Sequence, residues 1–239
     1  MLVTTNAIVL SKLRYKDNDL IVKCYTQKLG VMSFLLRGVL KSKKGNSKAA
    51  YFQLLSQLQI VTTYKNNRGL QSIKETKPHC IYSSLHTHVL KSAIVMFLSE
   101  VLASTLQEEE QNENLYHYLE NTLLWLDSQA EYSNFHLLFL VKLTKYLGFY
   151  PDLTNIEFQY FNLLEGEFEL KPSGKHSIYG EDLTLLKTLL GTTFDALSDI
   201  KINAKQRQSF LGKILLYYEL HLGSFRSPKS LQILNQVFS

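Results

Sequence analysis

Apolar and polar positions alternate in short runs through the first third of the chain, the pattern of a β-rich segment. Leu58, Ile60 and Thr62, for example, alternate with the more polar Gln57 and Gln59, as in a strand with one buried face. We predict five strands, at residues 3–11, 20–26, 31–37, 54–64 and 70–77. Five short strands within about 80 residues favour a small closed barrel, of which the OB-fold is a common nucleic-acid-binding form.

From residue 85 the apolar spacing changes from a period of two to the 3.6-residue period of an α-helix. Leu90, Ile94 and Val101 then fall on one helix face. We predict helices from residue 85 to before residue 108, at 112–126, 134–147, 181–190 and 205–222, and a short last helix after Pro228. Between them, residues 158–164 and 168–170 are expected to form strands that turn at Gly166.

These patterns predict an α+β fold in two domains. An N-terminal five-stranded OB-fold β-barrel occupies residues 1–80, and an α-helical domain with a small strand-turn-strand insertion occupies residues 81–239. The 239 residues are 45% apolar and 20% charged, which suits a folded protein rather than a disordered one. Only two cysteines are present, too few for a disulfide framework or a zinc ribbon, so we expect a reducing compartment. No run of residues approaches the roughly 18 apolar positions of a membrane span, so we expect a soluble, unsecreted protein.

The net charge of +5 hides a strong asymmetry along the chain. Residues 1–80 hold 14 lysines and arginines against three acidic residues, whereas residues 81–200 hold six against 17. Residues 201–239 are basic again, with six against one. A field of this size attracts partners of opposite charge, which indicates that the N-terminal segment meets a polyanion. A solvated charged face is the alternative.

The basic residues cluster between and after the predicted strands, where loops of a barrel can converge. The candidates for phosphate binding are Lys12, Arg14, Lys16, Arg37, Lys41, Lys43, Lys44, Lys48, Lys65 and Arg68. The segment 41–48 is also predicted to be a mobile loop. Tyr15, Phe34 and Tyr64 are aromatic side chains that can stack on bases, although each also suits the barrel core.

The sequence shows no arrangement typical of catalysis or metal binding. His86 and His88 are spaced for a strand-borne metal pair but lie at a predicted helix start, which favours an exposed helix end. Cys24 and Cys80 are expected to be small buried or half-buried residues rather than reactive thiols. The glutamates at 108–110 and at 165, 167 and 169 are expected to be solvated.

A series of short motifs extends over most of the chain. They are Thr5-x-Ala7-Ile8-Val9-Leu10, Tyr15-x-Asp17-x-Asp19, Tyr25-Thr26, Gly30, Arg37-Gly38-Val39 followed by a basic loop, Glu100, and Tyr146-Leu147-Gly148-Phe149-Tyr150-Pro151. Together they resemble the bacterial recombination mediator family RecO. The resemblance implies an OB-fold joined to a helical domain and a mediator without catalytic residues.

The resemblance also implies a set of activities and partners. Members of the family bind single- and double-stranded DNA, anneal complementary strands, contact the acidic C-terminal tail of single-stranded DNA-binding protein (SSB), and work with RecR to load the RecA recombinase. A cytoplasmic, nucleoid-associated protein is therefore expected. For the SSB tail, an acidic peptide with an apolar end, we predict a pocket in the helix at 134–147. Its candidate residues are Lys142, Lys145, Leu138 and Phe139, although the lysines can equally extend to solvent.

The chain departs from the family at one point. Many members carry four cysteines in two pairs after the Leu-Gly-x-x-Pro segment, whereas residues 155–180 contain none. We therefore expect a cysteine-free remnant of the zinc-ribbon region, held by Phe158, Phe161, Leu163 and Phe168, and no zinc. Two other functions stay open: an OB-fold RNA-binding or ribosome-associated factor, and an enzyme whose polar site is not visible in the sequence.

Overall fold

The computed structural model describes residues 1–41, 49–66, 68–106 and 111–239. These residues form two compact units. The first contains residues 1–128 and 228–230, and the second contains residues 129–227 and 231–239.

A closed barrel of five strands forms the N-terminal part of the first unit. The strands are β1 (Leu2–Tyr15), β2 (Asp19–Thr26), β3 (Gly30–Leu36), β4 (Gln57–Thr63) and β5 (Leu70–Pro78). They close in the order β1-β2-β3-β5-β4, and only the β3–β5 pair is parallel. The predicted OB-fold barrel is confirmed. Its interior is apolar and includes Ala7, Val9, Leu20, Val22, Cys24, Phe34, Leu36, Phe52, Leu58 and Ile60.

The first strand is longer than its sequence pattern indicates. Its first half pairs with β4 and its second half pairs with β2 as far as Tyr15, beyond the predicted end at residue 11. Residues 12–15 alternate in polarity, but all four are exposed, so neither face of this part of the strand is buried in the barrel core. The prediction that Lys12 and Arg14 lie in a loop is therefore wrong, because both belong to β1.

Among its described residues, the first unit also contains the helices α1 (Val89–Thr105) and α2 (Glu113–Ser128). Side chains of the barrel bind their backbones: Lys23 Nζ donates to the Ala103 carbonyl at 2.9 Å, and Gln57 Nε2 donates to the Glu120 carbonyl at 3.0 Å. The compact unit consequently extends past residue 80, where the sequence suggested a boundary. The first helix begins at residue 89 rather than 85 because residues 83–85 form a turn around the Asp127 carboxylate.

The second unit is mainly helical. It contains α3 (Phe135–Leu147), α4 (Gly180–Gly191), α5 (Ala204–His221) and α6 (Leu231–Val237), with one turn of 3-10 helix at Leu197–Asp199. The helices predicted from apolar periodicity are confirmed, with ends that differ by a few residues at most. Gly148 ends α3 in the left-handed conformation, with φ of 85°.

A three-stranded sheet lies between α3 and α4. It consists of β6 (Tyr160–Asn162), β7 (Glu167–Glu169) and β8 (Ser177–Ile178), in the order β7-β6-β8. The rings of Phe161 and Phe168 pack edge to face with their centres 4.9 Å apart, and the ring centre of Tyr217 of α5 lies 5.8 Å from that of Phe161. The strand pair and its apolar core are as predicted, except that Phe158 is only half-buried and β8 has no counterpart in the prediction.

Candidate nucleic-acid interface

A cationic groove lies on the outer surface of the barrel, where β3, β4 and β5 meet. Arg37, Lys65 and Arg68 line a cavity of about 520 Å³ there, together with Lys74 of β5. All four side chains are exposed. The sequence predicted the first three, and the structure brings them together; Lys74 was not predicted, because it lies within a strand rather than in a loop. We call these four residues the cationic groove.

A buried glutamine fixes the turn between β4 and β5 that carries two of the groove residues. Gln71 Nε2 donates to the carbonyls of Lys65 at 2.8 Å and Arg68 at 2.6 Å. Its Oε1 accepts from the Lys65 backbone N–H at 3.1 Å. Gln71 is almost fully buried, so these bonds hold the turn with little competition from water. No sequence pattern indicated this role, because a single glutamine in a strand forms no recognisable motif.

The segment after β3 is held beside the turn that joins β1 to β2. The Asp19 carboxylate accepts a hydrogen bond from the Gly38 backbone N–H at 2.8 Å, and the Leu40 N–H donates to the Asn18 carbonyl at 3.1 Å. Gly38 has φ of +65°, a conformation that disfavours any residue with a Cβ. Arg37 therefore leaves β3 between two turns of the barrel, with its side chain on the groove.

The cations of the first hairpin point to two faces. Lys12 pairs with Val22 and Arg14 pairs with Leu20, so both share the face of those residues, whereas Tyr15 takes the opposite face. Lys16 lies in the turn, with Nζ 5.4 Å from the centre of the Tyr15 ring. These three cations are exposed but do not line the cationic groove.

The three aromatic side chains predicted to stack on bases differ in their exposure. Tyr15 is 39% exposed, so one part of its ring is open to a ligand. Phe34 is fully buried in the barrel interior, so its ring has no free face for a base, and we omit it from the interface. Tyr64 is half-buried next to the groove turn. Lys41 is exposed, while Lys43, Lys44 and Lys48 lie outside the described residues.

One lysine of the basic segment makes a hydrogen bond within the protein and is not free to bind a ligand. Lys23 is half-buried, and its ammonium group binds the last turn of α1 through the Ala103 carbonyl. Burial lowers the pKa of this lysine. The charge count of residues 1–80 therefore overstates the charge that is free to meet a polyanion.

The pocket predicted on α3 for an acidic peptide is not formed by the residues named for it. Leu138 and Phe139 are fully buried, so they offer no apolar surface to a partner. Lys142 Nζ donates to the Leu190 carbonyl in the last turn of α4 at 2.8 Å, and burial, with Lys145 nearby, lowers its pKa. Lys145 is exposed.

A different cavity of the second unit combines apolar and cationic side chains. It measures about 610 Å³, and its lining includes Tyr132, Ile200, Ile202, Lys201 and Arg207. Arg207 is held by Asn134, whose Oδ1 accepts from its Nε at 3.1 Å. Lys201 pairs with Glu131 at 3.3 Å, and both side chains are exposed.

The cysteines and His86, which were considered for catalysis or metal binding, are buried, half-buried or hydrogen-bonded within the fold. Cys24 is in the barrel core and Cys80 is half-buried, and burial raises the pKa of both thiols. His86 Nε2 bonds the Leu54 carbonyl at 2.8 Å. Within residues 1–41, 49–66, 68–106 and 111–239, no three His, Cys, Asp or Glu side chains are arranged to hold a metal ion. The absence of zinc stays a prediction.

Comparison with known proteins gives matches over the full length. A family model described as "Recombination protein O N terminal" matches residues 1–82, and "Recombination protein O C terminal" matches residues 86–232. The chain is 50% identical over 238 residues to "DNA repair protein RecO" of Christiangramia forsetii and 43% identical over 239 residues to that of Flavobacterium johnsoniae. A protein of the same name in Porphyromonas gingivalis is 28% identical. In all three cases the match covers 100% of both chains.

Proposed function

The chain belongs to the RecO family of DNA repair proteins, and on that premise we propose that it binds DNA through the barrel and anneals complementary strands. The family membership assigns it to DNA repair and recombination as a mediator rather than a catalyst. The observation that carries the proposal is the cationic groove: four exposed cations line one concave surface of an OB-fold barrel. OB-folds bind oligonucleotides on the face of strands 2 and 3 and between the loops that follow strands 1 and 4.

The position of the groove agrees with this general mode of binding. Lys65 and Arg68 lie in the turn between β4 and β5, Arg37 follows β3, and Lys16 lies in the turn between β1 and β2. Phosphates bound there would release condensed counterions, which supplies affinity with little dependence on sequence. Acidic side chains are few at this end of the barrel, and Asp19 among them already binds the Gly38 N–H.

Annealing follows from neutralising two backbones while leaving their bases free. Complementary strands repel each other through their phosphates, and a surface that holds both backbones lowers this repulsion. Lys12 and Arg14 stand apart from the cationic groove, so the barrel offers cations on more than one face. We propose that this distribution allows a second strand to approach.

Strand annealing by the purified protein across a salt titration tests the proposal. We expect the protein to speed the pairing of two complementary oligonucleotides at low salt, and we expect the acceleration to fade as salt rises. Acceleration that is insensitive to salt would contradict phosphate neutralisation as the cause. No acceleration at any salt concentration would refute annealing while leaving simple binding open.

Competition between matched DNA and RNA single strands separates the proposal from an RNA-binding function. Phosphate contacts alone do not distinguish the two polymers, since the 2′-hydroxyl must be recognised for RNA preference. We expect DNA to compete at least as well as RNA. A clear preference for RNA would favour the alternative of an RNA-binding or ribosome-associated factor.

We also propose RecR and the acidic tail of SSB as partners, with the protein helping to load recombinase onto SSB-coated single strands in the cytoplasm. Every helix among the described residues is too short or too polar to cross a membrane. For the tail, the cavity with Lys201 and Arg207 suits an acidic peptide with an apolar end better than the surface of α3 does. The peptide's carboxylates would meet the two cations, and its apolar end would meet Ile200 and Ile202.

A synthetic peptide that carries aspartates and ends in an apolar residue tests this placement. We expect Lys201→Glu to weaken peptide binding severalfold, measured by fluorescence anisotropy. Lys145→Glu, an equal charge change at an exposed position of α3, serves as the control and should leave binding unchanged. The reverse pattern would restore the α3 surface as the site.

A further inference from the structure

Four aliphatic side chains form a row across the outer face of the barrel. Leu13 of β1 pairs with Ile21 of β2, and Ile21 pairs with Leu35 of β3. Paired residues of antiparallel strands share one face of the sheet. Leu35 in turn lines the same cavity as Leu70 at the start of β5. We call Leu13, Ile21, Leu35 and Leu70 the aliphatic stripe.

The stripe is open, although the same face of β2 is covered further along the strand. Lys23 and Tyr25 follow Ile21 at alternate positions and bind the carbonyls of Ala103 and Asn112, which belong to α1 and the segment before α2. The stripe begins where this cover ends. Leu13 is 65% exposed and Leu70 is 42% exposed, while Ile21 and Leu35 are half-buried. A contiguous row of apolar side chains at a surface is a common mark of a binding site.

The charges around the stripe indicate what occupies it. The stripe ends in the cationic groove, where Leu35 and Leu70 lie beside Arg37, Lys65 and Arg68. Tyr15 shares the face of Leu13, since it lies two residues further along β1, and Lys16 stands over its ring. An apolar row bordered by cations is complementary to a single nucleic-acid strand, whose bases are apolar on their faces and whose phosphates are anionic. A duplex offers phosphates but keeps the faces of its bases stacked.

We propose that the aliphatic stripe contacts the unpaired bases of single-stranded DNA while the cationic groove holds the phosphates. This inference rests on the proposed function and specifies which form of DNA the site prefers. Aromatic platforms hold bases by stacking against their flat faces. Aliphatic side chains lack the flat aromatic surface on which bases stack, so bases resting on the stripe are free to leave it and pair with a complementary strand.

The variant Leu13→Thr/Leu70→Thr tests the inference. Both positions are exposed, and threonine, which is β-branched, has a shape that strands favour. We expect affinity for a single-stranded oligonucleotide to fall about threefold to tenfold, at or below the loss that removal of one aromatic platform causes. The affinity for a duplex of the same length should stay within about twofold, and the slope of log K against log salt should not change, because no charge is removed.

The control is Ile81→Thr/Leu164→Thr, which makes the same kind of change at two exposed apolar positions outside the stripe. It should bind single strands as the unaltered protein does. Equal losses for single strand and duplex, or no loss for either, would overturn the inference while the proposed function stands. If the unaltered protein binds no DNA, the proposed function fails instead. A dimer of the unaltered protein that the stripe variant dissociates in sedimentation would assign the stripe to a second copy and also overturn the inference.

Discussion

Gln71 shows how one buried side chain can determine where two cations stand. Its amide bonds to the backbones of Lys65 and Arg68 span the turn between β4 and β5. Without these bonds the turn would be more flexible. Phosphate binding would then have to order both cations, at a cost in conformational entropy. The glutamine is thus a positioning residue, which carries no charge of its own into the interface.

Gln71→Ala is expected to weaken single-strand binding severalfold without changing its salt slope, because the cations remain while their placement loosens. Binding at a series of salt concentrations measures both quantities. Gln59→Ala, a change of the same type at a half-buried position of β4, is the control. A flattened slope in Gln71→Ala would show that the cations themselves are lost from the interface, contrary to this account.

Asp127 ties the segment after the barrel to the last turn of α2. Burial alone raises the pKa of its carboxyl, but hydrogen bonds from the N–H groups of Ser83, Ser84 and Leu85 outweigh burial and lower it to about 2. Those three bonds measure 2.8, 2.8 and 2.7 Å. Lys91 binds the carbonyl of the same aspartate at 2.8 Å.

Asp127→Asn is expected to lower the free energy of unfolding by about 2 kcal/mol at pH 7, because an amide accepts these bonds more weakly than a carboxylate. The folded pKa lies below the unfolded value near 3.9, so the stabilisation is complete above about pH 5 and is progressively lost as pH falls through about 2. Denaturant unfolding at several pH values measures the difference. Asp17→Asn, at an exposed turn position, should have little effect, and an Asp127→Asn deficit that persisted unchanged at pH 2 would contradict the assignment.

At the residue scale the sequence predicted the charge of the interface better than its geometry. Arg37, Lys65 and Arg68 were identified because loops of a barrel converge, and they do line one groove. The sequence left Phe34 open between base stacking and the barrel core, and it did not separate Lys23 from the free cations, since only the closed barrel buries the first and only α1 binds the second. The aliphatic stripe was equally hidden, because its members come from four strands whose register the sequence does not state.

Among the elements, the small sheet of the second unit is held together by a largely buried asparagine. Asn162 is largely buried, and its Nδ2 donates to Glu169 Oε1 at 2.9 Å and Ser173 Oγ at 2.8 Å. Its Oδ1 accepts from the Leu164 N–H at 2.9 Å. These bonds connect β6, β7 and the segment before β8 over the aromatic pair of Phe161 and Phe168.

Removal of metal is therefore expected to leave this region intact. A chelator should not change the melting temperature, and metal analysis of the purified protein should find no stoichiometric zinc. Asn162→Ala should destabilise the protein by about 1–3 kcal/mol, because it leaves buried partners without their bonds. Gln159→Ala, at an exposed position of the same region, is the control. Stoichiometric zinc, or a melting temperature lowered by the chelator, would contradict the expectation.

Helices were predicted more completely than strands because their signal is longer. The periodicity of α3 and α5 extends over several turns, whereas β8 has only two residues and pairs through a partner that is distant in sequence. The extension of β1 was missed although Lys12, Leu13, Arg14 and Tyr15 alternate in polarity, because the two cations suggested a loop and all four residues lie outside the barrel core.

At the scale of the whole molecule, charge and function are divided along the chain. The barrel segment carries an excess of cations and the following 120 residues an excess of acids. The compact units do not follow this division, since α1 and α2 belong with the barrel. Helices α1 and α2 thus support the barrel structurally, through contacts such as that of Gln57 with the Glu120 carbonyl of the acidic α2.

The most direct test of the account is the salt dependence of single-strand binding by the unaltered protein and by Lys65→Glu/Arg68→Glu, measured by fluorescence anisotropy. Each phosphate contact contributes about 0.7 to the slope of log K against log salt for single strands, so the account predicts a slope lower by at least about 1.4 in the variant. Lys171→Glu/Lys175→Glu, with the same charge change at exposed positions outside the barrel, should keep the original slope. A slope that the groove variant leaves unchanged would contradict the claim that the barrel binds DNA through this surface.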